Sequence, residues 1–224
     1  MNQIQEKKLK IPVLILYALV FYSAWAVWEF WGKRAVSSAF ENELLAQFIK
    51  SGLIKGLVWV LPAACLIRYF KNSVYIGLRE LFTNKVQILP YLPVFLGVSA
   101  YLLIAVFLTK GKLAVSESFR YSDLVIVLFV GITEEMVFRG WLLNVTVSEK
   151  RKWLPITVNA GMFLLIHVPV WIASGSFAAQ VTSLNFLAVP ILSVLFSWTF
   201  LKSKSIWIPV LLHMYWDLLI YLFL

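Results

Sequence analysis

Long apolar runs separated by short polar stretches make up most of the chain. Seven such runs occur, at about 11–31, 52–70, 86–109, 122–147, 153–173, 178–201 and 205–224. A transmembrane helix needs about 20 mostly apolar residues, and each run is close to or above that length. The pattern therefore predicts seven membrane-spanning helices.

The boundary between the fifth and sixth runs is not marked by a charged residue, because no Asp, Glu, Lys or Arg lies between Trp153 and Leu201. That stretch is too long for one spanning helix. The sequence Ala-Ser-Gly-Ser at 173–176 is typical of a turn, so we predict that the fifth span ends there. A short amphipathic helix is also predicted near 40–50, before the second span.

The composition agrees with a membrane protein, since 61% of the residues are apolar and only 14% are charged. Average soluble domains carry about 25% charged residues. The net charge of +9 would suit nucleic acid, but the basic residues lie between apolar runs, where membrane topology explains them better. Cys65 is the only cysteine, which excludes a disulfide framework. We therefore predict an all-α polytopic integral membrane protein without a nucleic-acid partner.

The positions of lysine and arginine predict the orientation of the helices. With the N-terminus in the cytoplasm, twelve basic residues fall in cytoplasmic segments and seven in the opposite loops. The seven are Lys33, Arg34, Lys50, Lys55, Lys110, Lys112 and Arg120. Because cytoplasmic loops carry an excess of basic residues, we predict a cytoplasmic N-terminus. The apolar stretch of the first helix is longer than a usual signal-peptide core, so we expect it to be retained.

Ionisable side chains lie deep within the apolar runs at only three places. In chain order they are Glu134, Glu135 and Arg139 in the fourth run, His167 in the fifth, and His213 and Asp217 in the seventh. A charge at the bilayer centre costs roughly 2.5–3.5 kcal/mol on insertion scales, so three charges in one helix need an explanation. The two histidines are the only ones in the chain, which favours a shared site.

Helical spacing sorts these residues into pairs. Glu135 and Arg139 are four residues apart, so they lie on one face and can form an ion pair. His213 and Asp217 have the same spacing. Glu134 is rotated by about 100° from its neighbour, so it needs a partner from another helix, and we expect a histidine. Each pair alone is also compatible with structural contacts between helices, but their common depth favours one site.

Three kinds of chemistry suit these residue types in a water-poor cavity. A glutamate can act as the general base on a water that hydrolyses a peptide bond, with histidines holding the water and stabilising the intermediate. The same residue types form proton or ion relays. Zinc bound by His167, His213 and one glutamate is the third possibility, although no H-E-x-x-H motif is present. The residues alone leave these three open.

Three short motifs, in order, resemble those of a known family. They are "EEMVFR", "FLLIH" and "HMYWD", which match the E-E-x-x-x-R, F-x-x-x-H and H-x-x-x-N/D motifs of the CPBP family. That family comprises CAAX prenyl endopeptidases of the Ras-converting type and their Abi-like bacterial relatives. The resemblance covers about residues 122–220. It implies an intramembrane glutamic-type endopeptidase with its active site among spans 4, 5 and 7.

The resemblance also implies a division of the chain and a role for most site residues. Residues 1–121 would form an N-terminal region of three spans without a recognised motif, and 122–224 a catalytic core of four. By motif position, Glu134 would activate the water, helped by His167. Glu135 and Arg139 would form the pair that shapes the site.

Position 217 departs from the prenyl endopeptidase pattern. His213 and residue 217 would line the oxyanion hole, where those enzymes have Asn and this chain has Asp. An ionised Asp accepts hydrogen bonds and cannot donate one to an oxyanion. Asp217 is then either protonated or orients His213, which would be the donor.

The activity implied by the resemblance is cleavage of a peptide bond near the membrane surface. The expected partners are a hydrophobic or lipidated peptide substrate and membrane lipids. The expected setting is peptide maturation or bacteriocin-type immunity in a bacterial plasma membrane. No cofactor is expected. A zinc-dependent peptidase and a non-catalytic scaffold or immunity protein are the alternatives.

Overall fold

The computed structural model describes residues 3–183 and 185–224. Within these ranges the chain forms helices and no strands, which confirms the all-α prediction. We number the helices α1 (3–39), α2 (Glu43–Tyr69), α3 (Leu78–Thr83), α4 (Leu89–Lys110), α5 (123–146), α6 (Trp153–Ala173), α7 (Phe177–Thr182), α8 (Asn185–Ser203) and α9 (Trp207–Phe223). The predicted sixth apolar run, 178–201, includes residue 184, which lies outside the described residues.

Five of these helices are long and apolar enough to cross a membrane, namely α1, α2, α4, α6 and α8. The predicted fourth and seventh spans correspond to α5 and α9. Helix α5 carries two glutamates and an arginine in its middle, and α9 is a shorter apolar helix of 17 residues. The protein is therefore an integral membrane protein with five candidate spans among its described residues, and the count of seven stays a prediction.

Two predicted boundaries have different outcomes. Helix α6 ends at Ala173, and Gly175 follows with a left-handed φ of 72°, so the predicted turn is confirmed. The separate helix expected near 40–50 was wrong, because this stretch is the start of the long helix α2. The side chain of Asn42 accepts a hydrogen bond from the backbone N–H of Leu45 at 2.9 Å. This cap starts the helix.

A close approach between α5 and α9 brings the third motif, on α9, toward the first, on α5. Gly131 lies one turn before Glu134, and a Cβ added there would lie 2.7 Å from Cγ and 3.3 Å from the backbone nitrogen of Met214. A larger residue at position 131 would therefore push the two helices apart. Directly after Glu135, α5 adopts π-helical geometry over Met136–Leu143. Such segments often occur at functional sites.

Candidate functional site

A fully buried ion pair lies at the base of the cluster. Arg139 Nη1 donates to Glu135 Oε1 at 3.0 Å, and neither side chain has measurable exposure. Arg139 Nη2 also donates to the backbone oxygen and the hydroxyl of Ser193 on α8, at 2.8 and 2.7 Å. The guanidinium lies over the rings of Phe163 and Phe196, 4.7 and 5.2 Å from their centroids. The predicted pairing of Glu135 with Arg139 is present within α5. Through its contacts with Ser193, Arg139 also connects α5 to α8.

His213 connects this pair to the other two carboxylates. Its Nδ1 lies 2.8 Å from Glu135 Oε1. Since that oxygen belongs to a carboxylate held by an arginine, we assign the imidazole N–H as the donor. The Nε2 atom then faces Asp217 Oδ2 at 3.7 Å and Glu134 Oε2 at 4.0 Å. His213 and Asp217 are therefore neighbours, as predicted, and Glu134 lies on the same side of the ring.

Glu134 is buried, and its shortest contact is with a residue that sequence reasoning placed elsewhere. Lys55 Nζ donates to Glu134 Oε1 at 3.2 Å, and only 5% of the surface of Lys55 is exposed. The assignment of Lys55 to an outer loop was wrong, because helix α2 runs through it without interruption. The signal was present in the sequence, since Lys55 falls inside the apolar run 52–70.

His167 is held by a backbone group of its own helix. Its Nδ1 lies 2.9 Å from the carbonyl oxygen of Phe163, which can only accept, so Nδ1 carries the hydrogen. In a neutral ring Nε2 is then an acceptor. The ring of Phe163 contacts both histidines, with centroids 5.2 Å from His167 and 5.8 Å from His213. The two histidines thus lie around one aromatic ring beside Glu134's helix.

The six predicted residues and two that were missed form one cluster from five helices. Lys55 comes from α2, Ser193 from α8, and the predicted residues from α5, α6 and α9. Ser193 is fully buried. A serine in an apolar run resembles many other serines of transmembrane helices, so nothing in the sequence distinguishes Ser193 from them.

The zinc alternative has no ready ligand set in the part of the chain that the structure describes. No group of three or more His, Cys, Asp or Glu side chains there is arranged to hold a metal ion. The expected lack of a cofactor stays a prediction, and metal dependence needs a direct measurement.

The comparisons with known proteins identify one related family. Residues 117–219 match the family model described as type II CAAX prenyl endopeptidase Rce1-like. The matched segment covers just under half of the chain and contains all six predicted site residues, whereas Lys55 lies outside it. No curated protein and no solved structure matched. The match confirms the resemblance drawn from the three motifs.

Proposed function

We propose that this membrane protein is an endopeptidase in which Glu134 activates the hydrolytic water. Residues 117–219 match the family model of Rce1-like CAAX prenyl endopeptidases. The family supports a protease in general, and the geometry of Glu134 carries the specific proposal. Its carboxylate is buried in a helix, with Lys55 at 3.2 Å and His213 Nε2 at 4.0 Å. The two basic side chains hold the carboxylate in place and ionised, so that it can accept a proton from a water bound beside it.

The reaction follows from this arrangement. A water bound between Glu134 and Nε2 of His167 gives its proton to the glutamate as its oxygen attacks the peptide carbonyl carbon. In the tetrahedral intermediate the former carbonyl oxygen carries the negative charge. When the C–N bond breaks, the proton passes from Glu134 to the leaving nitrogen. The products are a new carboxylate and a new amine.

The negative intermediate needs a hydrogen-bond donor, and we propose His213. Its Nδ1 is held by Glu135, so Nε2 points toward the reacting groups. In the protonated ring Nε2–H is a donor. Asp217 at 3.7 Å from Nε2 then orients the imidazole, and this role requires no protonation of Asp217.

The proposed substrate is a hydrophobic or lipidated peptide in the membrane. The site residues are carried by long apolar helices, so a peptide bond reaches them from the lipid or from its interface. We place the activity in peptide maturation or bacteriocin-type immunity in a bacterial membrane. A scaffold without catalysis is the second candidate, and its function would not depend on Glu134.

A direct assay uses the purified protein in liposomes with synthetic peptides of one sequence carrying a prenyl chain, an acyl chain or no lipid. New peptide termini detected by mass spectrometry in a lipidated sample would support the proposal and identify the preferred class. If a broad set of lipidated and hydrophobic peptides stays intact with folded protein, the peptidase proposal is wrong.

Replacing His167 by alanine is expected to reduce the cleavage rate by about 10²-fold or more, because the water loses one of the two side chains that bind it. The protein should still accumulate in the membrane. The matched control is Ser174→Ala, beyond the end of the same helix, which should keep normal activity. Wild-type rates in His167→Ala would remove this residue from the mechanism.

Treatment with a chelator such as 1,10-phenanthroline, followed by dialysis, is expected to leave cleavage unchanged, since the proposed water is activated by a carboxylate. The metal content of the active sample is measured in parallel. Loss of activity that returns on adding Zn²⁺ would replace this mechanism by the zinc-dependent alternative.

A further inference from the structure

Lys55 lies in the membrane part of α2 with its ammonium group enclosed by aromatic rings. The Nζ atom lies 4.8 Å from the ring centroid of Trp25 and 4.6 Å from that of Trp59. Both tryptophans are 2% exposed, and their rings contact each other at 69° with centroids 4.5 Å apart. Cation–π attraction is strongest where water is excluded. The two rings therefore hold the ammonium group in place independently of Glu134.

The same aromatic pair is joined to the helix that carries His167. Trp25 Nε1 donates to the backbone oxygen of Ile166 at 2.7 Å, directly before the histidine in sequence. Trp59 lies four residues after Lys55, on the same face of α2. Helices α1 and α2, which lie outside the matched segment, thus fix a cation against the candidate base and contact the candidate water-binding helix.

The charges around Glu134 show what this cation does. Arg139 is committed to Glu135 by the buried ion pair. Glu134 and Asp217 both face Nε2 of the single imidazole of His213, at 4.0 and 3.7 Å. One ring cannot compensate both carboxylates, of which Glu134 is buried and Asp217 is partly buried. Lys55 supplies the second positive charge, at 3.2 Å from Glu134.

We propose that Lys55 is a positioning residue of the active site. Its ammonium group holds the Glu134 carboxylate in place and offsets one of the two negative charges that Glu134 and Asp217 carry. The proposal rests on the proposed peptidase function for its effect on activity, but its effect on stability is independent of any activity. It assigns a defined role in the site to the N-terminal half of the chain.

The test is a double-mutant cycle between positions 55 and 217, read by thermal unfolding in detergent and by cleavage kinetics. Lys55→Met should lower Tm by about 10 °C, because it leaves a buried carboxylate without its partner. Adding Asp217→Asn should restore most of that loss, since His213 then serves Glu134 alone. Lys55→Arg, which keeps the charge, should stay close to the wild type.

The kinetic measurement separates positioning from a general loss of structure. We expect Lys55→Met to lower kcat by at least tenfold with little change in KM, and the double variant to regain part of it. The control is Lys33→Met, because Lys33 also pairs with a glutamate, Glu29, and lies over Trp25 at 5.3 Å, but forms no hydrogen bond or ion pair with Glu134 among the described residues. It should keep the kcat of the wild type.

The two proposals fail in different ways. If wild-type protein cleaves nothing but the Tm cycle shows the expected coupling, the peptidase proposal fails and the charge role of Lys55 stands. Additive effects of the two substitutions on Tm would overturn the role of Lys55. If Lys55→Met does not accumulate in the membrane, the amount of protein in the membrane is measured instead of Tm. If adding Asp217→Asn does not restore that amount, the proposal is wrong.

Discussion

Replacing Glu134 by glutamine is expected to reduce cleavage by about 10²–10⁴-fold, the range that general acid–base catalysis contributes. The amide has almost the same shape as the carboxylate but cannot take a proton from water. Initial rates of the purified variant in liposomes measure the effect. Because the amide can still accept a hydrogen bond from Lys55, the helices should stay together.

The control for this substitution is Glu43→Gln. Glu43 is exposed and pairs with Arg120 at 3.0 Å on the surface, so the Glu43→Gln variant should cleave at the wild-type rate. Activity of Glu134→Gln within twofold of the wild type, with equal amounts of protein, would contradict the assignment of Glu134 as the base.

Replacing Arg139 by methionine is expected to destabilise the protein by about 3–5 kcal/mol, since this breaks a buried ion pair and leaves one charge uncompensated. Glu135 would keep only His213 as its partner, and Ser193 on α8 would lose two hydrogen bonds from the guanidinium. Thermal unfolding in detergent, or the amount of protein in the membrane, measures the loss. Cleavage should be abolished as well, since Glu135 orients His213.

The surface pair of Arg120 and Glu43 again provides a matched control. Arg120→Met also removes an arginine that contacts a glutamate at 3.0 Å, but exposed pairs contribute only about 0–1 kcal/mol. We expect no measurable change in Tm. Equal effects of the two arginine substitutions would mean that the buried contacts of Arg139 with Glu135 and Ser193 do not stabilise the packing of α5 against α8.

The helices and the main site residues could be predicted from the sequence for specific physical reasons. Apolar runs of about 20 residues have few structures open to them other than helices, because lipid cannot satisfy backbone polar groups. Within one helix, spacing fixes geometry, so the contact between Glu135 and Arg139 followed from their four-residue separation. Three motifs on separate runs indicated a resemblance that the family match over residues 117–219 confirms.

Contacts between helices were harder to predict, because sequence spacing does not determine which faces of two helices meet. Glu134 was expected to pair with a histidine, and its shortest contact is instead Lys55. Lys55 was misassigned because lysine is common at helix ends, where it extends to the interface. Ser193 gave no signal because its contribution depends on the position of Arg139 in space.

Composition alone does not determine the number of spans. Helix α5 carries Glu134, Glu135 and Arg139 within its apolar stretch, so the charges of the candidate site also keep it out of the candidate spans. A seven-span topology with a cytoplasmic N-terminus stays a prediction. Single cysteines introduced on either side of α5, in 111–122 and in 147–152, in a Cys65→Ser background, would be labelled from opposite sides of the membrane if α5 is a span and from the same side if it is not.

We propose that Glu134 makes this membrane protein a peptidase. The most direct test compares membrane-associated peptides, by mass spectrometry, from host cells that contain equal amounts of the wild type or of Glu134→Ala. We predict at least one peptide whose terminus is shortened only in cells with the wild type. Identical peptides in both samples, with an unchanged biological phenotype in the variant, would contradict the claim and favour the scaffold.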